Sequence, residues 1–325
     1  MTLSNTGWVL AANMAKAAAK TVFIDGEAGT TGLQIAERLA NLPGIAVKSI
    51  DPKQRKDAAA RATMMRDVDA VVLCLPDDAA KEAVALADSL GKDAPKIVDA
   101  STAHRVAPGW VYGFAELDST QADKIRKANH VANPGCYPTG AIALLRPLIA
   151  AGIVPKDYPI SVNAVSGYSG GGKSMIESYE TTKTAPAFEL YALGLEHKHV
   201  PELMAYAGLT RRPIFSPSVG NFKQGMLVSI PLHLDMLPGK PKLADLEATL
   251  AAQYNGSKRV SVVRDAATAT TRLEPEALNN SDKLELYVLG NDTKNHALLV
   301  ARLDNLGIGA AGAAVQNLKL MLGLA

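Results

Sequence analysis

The sequence predicts an α/β protein of two domains: a parallel sheet with helices on both faces, then an α+β unit with a mostly antiparallel sheet. Three observations predict it. Strand and helix signals alternate in the first part of the chain. Beyond Cys136, strands follow one another with little helix between them. The length, 325 residues, exceeds what one core ordinarily organises.

The elements follow in order. Thr21–Asp25 is a β-branched run that ends in glycines, and Leu33, Ala36, Leu39 and Ala40 recur at helical spacing. Ile45–Ile50 and residues 69–75 read as strands, Ala79–Leu90 as the returning helix, and Lys96–Ala100 as a fourth strand. In the second half, Tyr158–Val165, Gln224–Leu232, Val260–Val263, Lys283–Val288 and His296–Ala301 read as strands, and Gly309–Leu322 as an Ala-rich helix. Residues 1–19 are expected to be an extension outside the fold. Trp8–Ala12 is weakly apolar with no basic residue before it, a poor signal peptide, and Met14 is an alternative start.

Composition excludes several classes. A net charge of +2 is too small for a nucleic-acid surface, and 5% aromatic residues argues against base stacking. No apolar run is long enough to span a bilayer. The two cysteines, Cys74 and Cys136, form neither a disulfide framework nor a paired metal spacing, so a reducing cytoplasm is expected and no metal. Cys74 ends an apolar run, Ala70–Leu75, and reads as a small buried hydrophobe.

Gly26, Gly29 and Gly32 lie between the first strand and the first helix, in the spacing G-x-x-G-x-x-G. Glycines permit a tight turn and close backbone approach, and a helix start at Thr30 and Thr31 offers free N–H groups to a pyrophosphate. An ordinary strand-to-helix turn has the same signature, but the context favours a dinucleotide and so a Rossmann-type domain. The second strand should end at the adenosine ribose. Asp51 there suits a 2′-hydroxyl, whereas Ser49 with Lys53, Arg55 and Lys56 suits a 2′-phosphate, which favours NADP(H).

Asn133-Pro134-Gly135-Cys136-Tyr137-Pro138-Thr139-Gly140 places a thiol after a turn and at a helix start. Unpaired N–H groups and the positive end of the helix dipole favour thiolate, the nucleophilic form. His197 and His199 flank Lys198 before a helix opened by Pro201. Alternation along an extended segment would put both imidazoles on one face, as candidates to carry a proton for Cys136. His199, next to the helix start and Glu202, is the favoured one; surface histidines are the bland alternative. Arg105 follows the fourth strand, where ligands of parallel sheets bind, and suits a phosphate or carboxylate. Ser166 and Gly167 open a glycine-rich loop that ends at Lys173 and suits an anion.

Taken together, these motifs resemble the N-acetyl-γ-glutamyl-phosphate reductases, especially the shorter second type. The resemblance runs from about residue 20 to the C-terminus. It rests on Phe23–Ile35, Asn133–Gly140, His197–Glu202 and Asp304–Asn317. It implies NADP-dependent interconversion of an acyl phosphate and a semialdehyde, with Cys136 as nucleophile and the His197/His199 pair as acid/base. Asn305 would approach the nicotinamide, and Arg105, Ser166, Gly167 and Glu202 would contact substrate. The last helix would return to the first domain, giving a cofactor domain of 20–135 plus 303–325 and a catalytic, substrate and dimerisation domain of 136–302. A cytoplasmic homodimer or homotetramer is implied, with inorganic phosphate as co-substrate. Ile308 stands where a lysine is expected in close relatives. The competing readings are an aspartate-semialdehyde dehydrogenase, a silent NADP-binding regulatory protein and a cysteine hydrolase.

Overall fold

The computed structural model describes residues 19–324, so most of the expected extension lies outside the described residues. The first sheet contains β1 (Lys20–Asp25), β2 (Ile45–Lys48), β3 (Ala70–Leu73), β4 (Lys96–Asp99), β5 (Val111–Tyr112) and β6 (His130–Ala132). Its order is β2-β1-β3-β4-β6-β5. Every pairing in it is parallel. The helices of this half are α1 (Thr30–Ala40), α2 (Ala58–Arg66), α3 (Asp77–Asp88) and α4 (Gln121–Lys127).

Side-chain alternation divides the sheet into two cores. Val22, Ile24, Val72, Val98 and Val131 pack against Ile35 and Leu39 of α1 and Ile125 of α4. Phe23, Val71, Leu73 and Ile97 pack on the other face against Met65 of α2 and Ala80, Ala83 and Val84 of α3. Each large side chain buried this way contributes about 1.5–3 kcal/mol.

The chain then forms α5 (Cys136–Ala150), β7 (Ser161–Gly167), α6 (Gly172–Glu180), β8 (Phe188–Leu190), α7 (Val200–Ala207), β9 (Ile214–Gly220) and β10 (Met226–His233). It continues through α8 (Leu243–Gln253), β11 (Val260–Val262), α9 (Ala266–Ala269), β12 (Leu284–Asn291), β13 (His296–Leu303) and α10 (Gly312–Met321). The second sheet runs β11-β12-β13-β10-β7-β9-β8. Four of its six pairings are antiparallel; β7 with β9 and β11 with β12 are parallel. The sequence reading placed a helix at Pro201, where α7 begins, and none at α2, α4, α6, α8 or α9; α6 and α7 lie in the crossover between the parallel strands β7 and β9, and α9 in that between β11 and β12. It also missed β5, β6, β8 and β9. The first three have two or three residues each, and β9 contains Pro217, a residue that argues against a strand in sequence.

Helix α5 is apolar on all sides and buried almost throughout. It begins at Cys136 itself, earlier than the apolar run Ala141–Leu145 suggests. Pro147 inside it cannot donate to the Ala143 carbonyl. The Tyr254 hydroxyl donates there instead, at 2.9 Å, so the interior proline leaves no buried acceptor empty at that turn. From α10, Ala314, Leu318 and Met321 pack in the same core as Val22 and Ile35. Ile308 is 1% exposed in the core of the second half, so its side chain does not face the cofactor loop.

Candidate active site

The chain passes from β1 to β2 on one side and to β3 on the other, so the sheet switches direction between β1 and β3. Ligands of such sheets bind there, beyond the strand ends. Gly26 sits at this point with φ +92°, and a Cβ on it would collide with the Cys74 carbonyl just past β3. A Cβ on Gly32 would run into the Gly26 carbonyl and Glu27 backbone. Gly29 differs: a Cβ there would meet the Gly26 carbonyl oxygen at 3.4 Å, an ordinary contact. Gly29 is the N-cap of α1 and makes no side-chain cap, so the N–H groups at Thr30 and Thr31 meet no side-chain acceptor. The loop therefore fits the phosphates of a dinucleotide. Beneath it, Arg61 holds the Asp25 carboxylate at 2.5 Å, a pair the sequence reading missed.

Thr30 and Thr31 border a cavity of about 380 Å³ that also contains Cys136. The same cavity collects Arg105, Ser166, Gly167, His197, His199 and Asn305 from four further segments. Ser49, Lys53 and Arg55 do not line it; they lie on the exposed stretch after β2. Asp51 there accepts from the Lys53 N–H at 2.9 Å, so its carboxylate builds the turn.

Cys136 is partly buried, and a Cβ on Gly309 would come within 3.0 Å of its Cβ. Burial pushes its thiol up to about 11, against the opposite pull of the Tyr137 N–H, the Arg105 guanidinium and its own N–H. The helix start and the cation act in the direction the sequence suggests, but burial outweighs them. The helix start and Arg105 therefore do not by themselves bring Cys136 below the ordinary thiol range.

The expected alternation of His197 and His199 is corrected. His199 is the N-cap of α7 with helical φ −85° and ψ −11°, so the segment turns rather than extends. Val200 N–H donates to the His197 carbonyl at 3.0 Å. Both imidazoles reach the cavity, and the turn brings in Lys198, which the alternation argument pointed away. His199 is 8% exposed, which overturns the surface reading. Burial, with Lys198 and Arg105 nearby, pulls His197 down to about 4. Burial and Arg105, with smaller effects from His197 and Lys198, hold His199 well below 6.5.

Glu202 does not line the cavity, correcting its expected role as a substrate contact. It is 1% exposed. One of its oxygens accepts from Arg105 at 2.5 Å; the other accepts from Tyr112 Oη at 2.9 Å and Gly135 N–H at 3.1 Å. Arg105 also donates from Nε to the Asn133 carbonyl at 3.0 Å. Asn305 is held on both sides, accepting from Gly225 N–H at 2.8 Å and donating to Ser169 Oγ at 3.0 Å. The glycine-rich loop brings Gly170 and Gly171 to the cavity but leaves Lys173 exposed outside it. Met175, Tyr191 and Val219, which the sequence reading did not single out, also line the cavity.

A glycine-braced dinucleotide loop opening onto a buried thiol is the layout of a nicotinamide-dinucleotide oxidoreductase that works through an aldehyde-level carbon. Residues 21–126 match the family model "Semialdehyde dehydrogenase, NAD binding domain", and residues 136–305 match "Semialdehyde dehydrogenase, dimerisation domain". The N-acetyl-gamma-glutamyl-phosphate reductase of Brucella ovis is 53% identical over 307 residues, covering 93% of this chain and 98% of that protein. That of Chelativorans sp. is 51% identical over 305 residues, covering 93% and 97%. Among solved structures, aspartate semialdehyde dehydrogenase II of Vibrio cholerae has a TM-score of 0.70 at 15% identity, covering 94% of this chain and 98% of that one. The Candida albicans aspartate semialdehyde dehydrogenase with NADP has a TM-score of 0.64 at 14% identity, covering 94% and 99%. These two likenesses concern the fold. The chain belongs to the semialdehyde dehydrogenase family and, within it, to the N-acetyl-γ-glutamyl-phosphate reductases.

Proposed function

We propose that this chain reduces N-acetyl-γ-glutamyl phosphate to N-acetylglutamate γ-semialdehyde with NADPH, through a thioester on Cys136. The observation that carries the choice of substrate is the charge of the cavity. Arg105 and Lys198 line it, and among the described residues no aspartate or glutamate does; Glu202, the partner of Arg105, lies behind the lining. Such a lining suits a substrate with two acidic groups and a blocked amine. It leaves an α-ammonium, as in aspartate semialdehyde, without a counter-charge.

The resting pair is thiol and neutral imidazole, so the proton leaves sulfur during attack. His199 is the base: a Cβ on Gly135, the residue before Cys136, would lie 2.8 Å from its Nε2. Sulfur bonds to the γ-carbonyl carbon, the carbon–oxygen bond to phosphate breaks, and inorganic phosphate leaves with a proton taken from solvent. The N–H groups of Cys136 and Tyr137, which already pull on the sulfur, would stabilise the developing oxyanion. A bound nicotinamide supplies the hydride that takes the thioester to the aldehyde level. The proton held on His199 then returns to the sulfur as the aldehyde departs.

Gly26, Gly32, Thr30 and Thr31 would hold the cofactor phosphates and Asn305 would face the nicotinamide. NADP is favoured over NAD because Asp51 is tied into its own turn while Lys53, Arg55 and Lys56 stay exposed beside it. Domain boundaries at 20–135 plus 303–325 and 136–302 accord with the return of α10 to the first core. Self-association as a homodimer or homotetramer has a candidate surface on the second sheet, where Phe188, Leu190 and Leu298 are 57%, 54% and 38% exposed. No helix among the described residues is long and apolar enough to cross a membrane; a cytoplasmic location is part of the proposal. The test is phosphate-dependent reduction of NADP, run in parallel with N-acetylglutamate semialdehyde and aspartate semialdehyde. Faster turnover of the second would overturn the assignment.

A further inference from the structure

We propose that His197 is a fixed hydrogen-bond donor that reads the acyl oxygen on the substrate's blocked amine, and so sets selectivity for N-acylated substrates. The inference rests on the reductase reading above and assigns a role within the same site.

The His199 backbone N–H donates to Nδ1 of His197 at 3.1 Å. A ring nitrogen that accepts this bond carries no hydrogen, so the neutral ring bears its proton on Nε2. Among the described residues Nε2 has no partner, and the ring lines the cavity. His197 therefore presents one N–H to whatever fills the space. It cannot take up a second proton without losing its bond to the His199 backbone, which leaves proton transfer to His199.

The ring is also held in orientation. Phe215 packs at 5.1 Å and 87°, Tyr191 at 5.6 Å and 63°, and Tyr137 at 6.1 Å and 90°. A donor fixed in this way adds selectivity because little freedom is lost when its acceptor arrives. The cavity's two cations, Arg105 and Lys198, suit the substrate's two anionic groups. A neutral donor suits the one remaining polar acceptor, an amide oxygen. Met175, Tyr191 and Val219 line the same cavity and offer apolar surface to an acyl methyl. In the adjoining space, Asp77 accepts from the Thr102 N–H at 2.9 Å and from the Thr102 hydroxyl, and it faces Lys198 and Arg105.

The experiment compares wild type with His197→Phe, which keeps a ring but no donor, and His197→Gln, which restores an N–H. Phosphate-dependent reduction of NADP is measured with N-acetylglutamate semialdehyde and with glutarate semialdehyde, the same carbon chain without the amide. In His197→Phe, the preference for the N-acetyl substrate should fall roughly 10- to 100-fold, mostly through KM, with partial recovery in His197→Gln. Equal losses on both substrates would overturn the inference while leaving the reductase reading intact. A wild type without turnover of N-acetylglutamate semialdehyde would overturn both. Nitrogen-15 spectra of His197 should show a bare Nδ1 and a protonated Nε2 across neutral pH; the reverse tautomer would remove the donor.

Discussion

The backbone N–H of Gly135 donates to the Glu202 carboxylate at 3.1 Å, and the same carboxylate pairs with Arg105 at 2.5 Å. One buried side chain thus fixes both the residue before the nucleophile and the cation beside it. A Cβ on Gly135 would lie 2.6 Å from Arg105 Nη1 and 2.7 Å from Glu202 Oε1, so only glycine fits between them.

Removing that carboxylate should be costly. Both partners are buried, with side chains 8% and 1% exposed, so Glu202→Ala leaves an unpaired guanidinium in the protein interior. A loss of about 3–5 kcal/mol in urea unfolding is expected. A loss under about 1 kcal/mol, the range of exposed pairs, would mean that Arg105 finds water when Glu202 is gone.

Cys136→Ser should lower phosphate-dependent NADP reduction by roughly 10³-fold or more and leave NADPH affinity nearly intact. A serine variant that keeps most of its rate would refute the thioester.

Alkylation reads the state of the thiol directly. With Cys136 pushed up to about 11, the unliganded enzyme should react with iodoacetamide about tenfold faster for each pH unit from 7 to 9. A plateau below pH 8 would show a standing thiolate and return the weight to the helix start.

The two histidines make stability depend on acid. Their folded-state values lie below the ordinary 6.5, so between there and about 4 the unfolded chain binds more protons than the folded one. Their contribution is complete above pH 6.5 and is lost as pH falls through that window. The urea midpoint should drop from pH 7 to pH 5 by more in wild type than in His199→Gln. Identical drops would assign the acid sensitivity elsewhere.

The glycine loop separates into required and replaceable positions. Gly32→Ala should weaken NADPH binding roughly tenfold or more in a fluorescence titration, because its Cβ has only backbone to displace. Gly29→Ala, at φ −80° and with an ordinary contact, should change it by less than about threefold. Equal effects would show that the loop is read by flexibility and not by close approach.

Periodicity and turn residues determined much of this protein by themselves. The β-branched run at Thr21–Asp25, the glycines after it and the helical spacing at Leu33–Leu39 are local signals, and each reports its own element. Cys136 was legible for the same reason: a Pro-Gly turn before an apolar helix lies within eight residues of chain. The short strands β5, β6 and β8 carried no period to read, since strands of two or three residues form only because neighbours pair with them.

The tertiary structure decided what the side chains mean. Glu202 looked like a substrate contact in sequence and is a buried brace, because Arg105, Tyr112 and Gly135 reach it from distant segments. Lys198 looked like the residue facing away, and a helix start at Val200 turns it into the cavity. The proton balance between Cys136 and the histidines could not be read locally at all. Helix ends and nearby cations are visible in a sequence, but desolvation depends on everything packed around a group, and here it outweighs them.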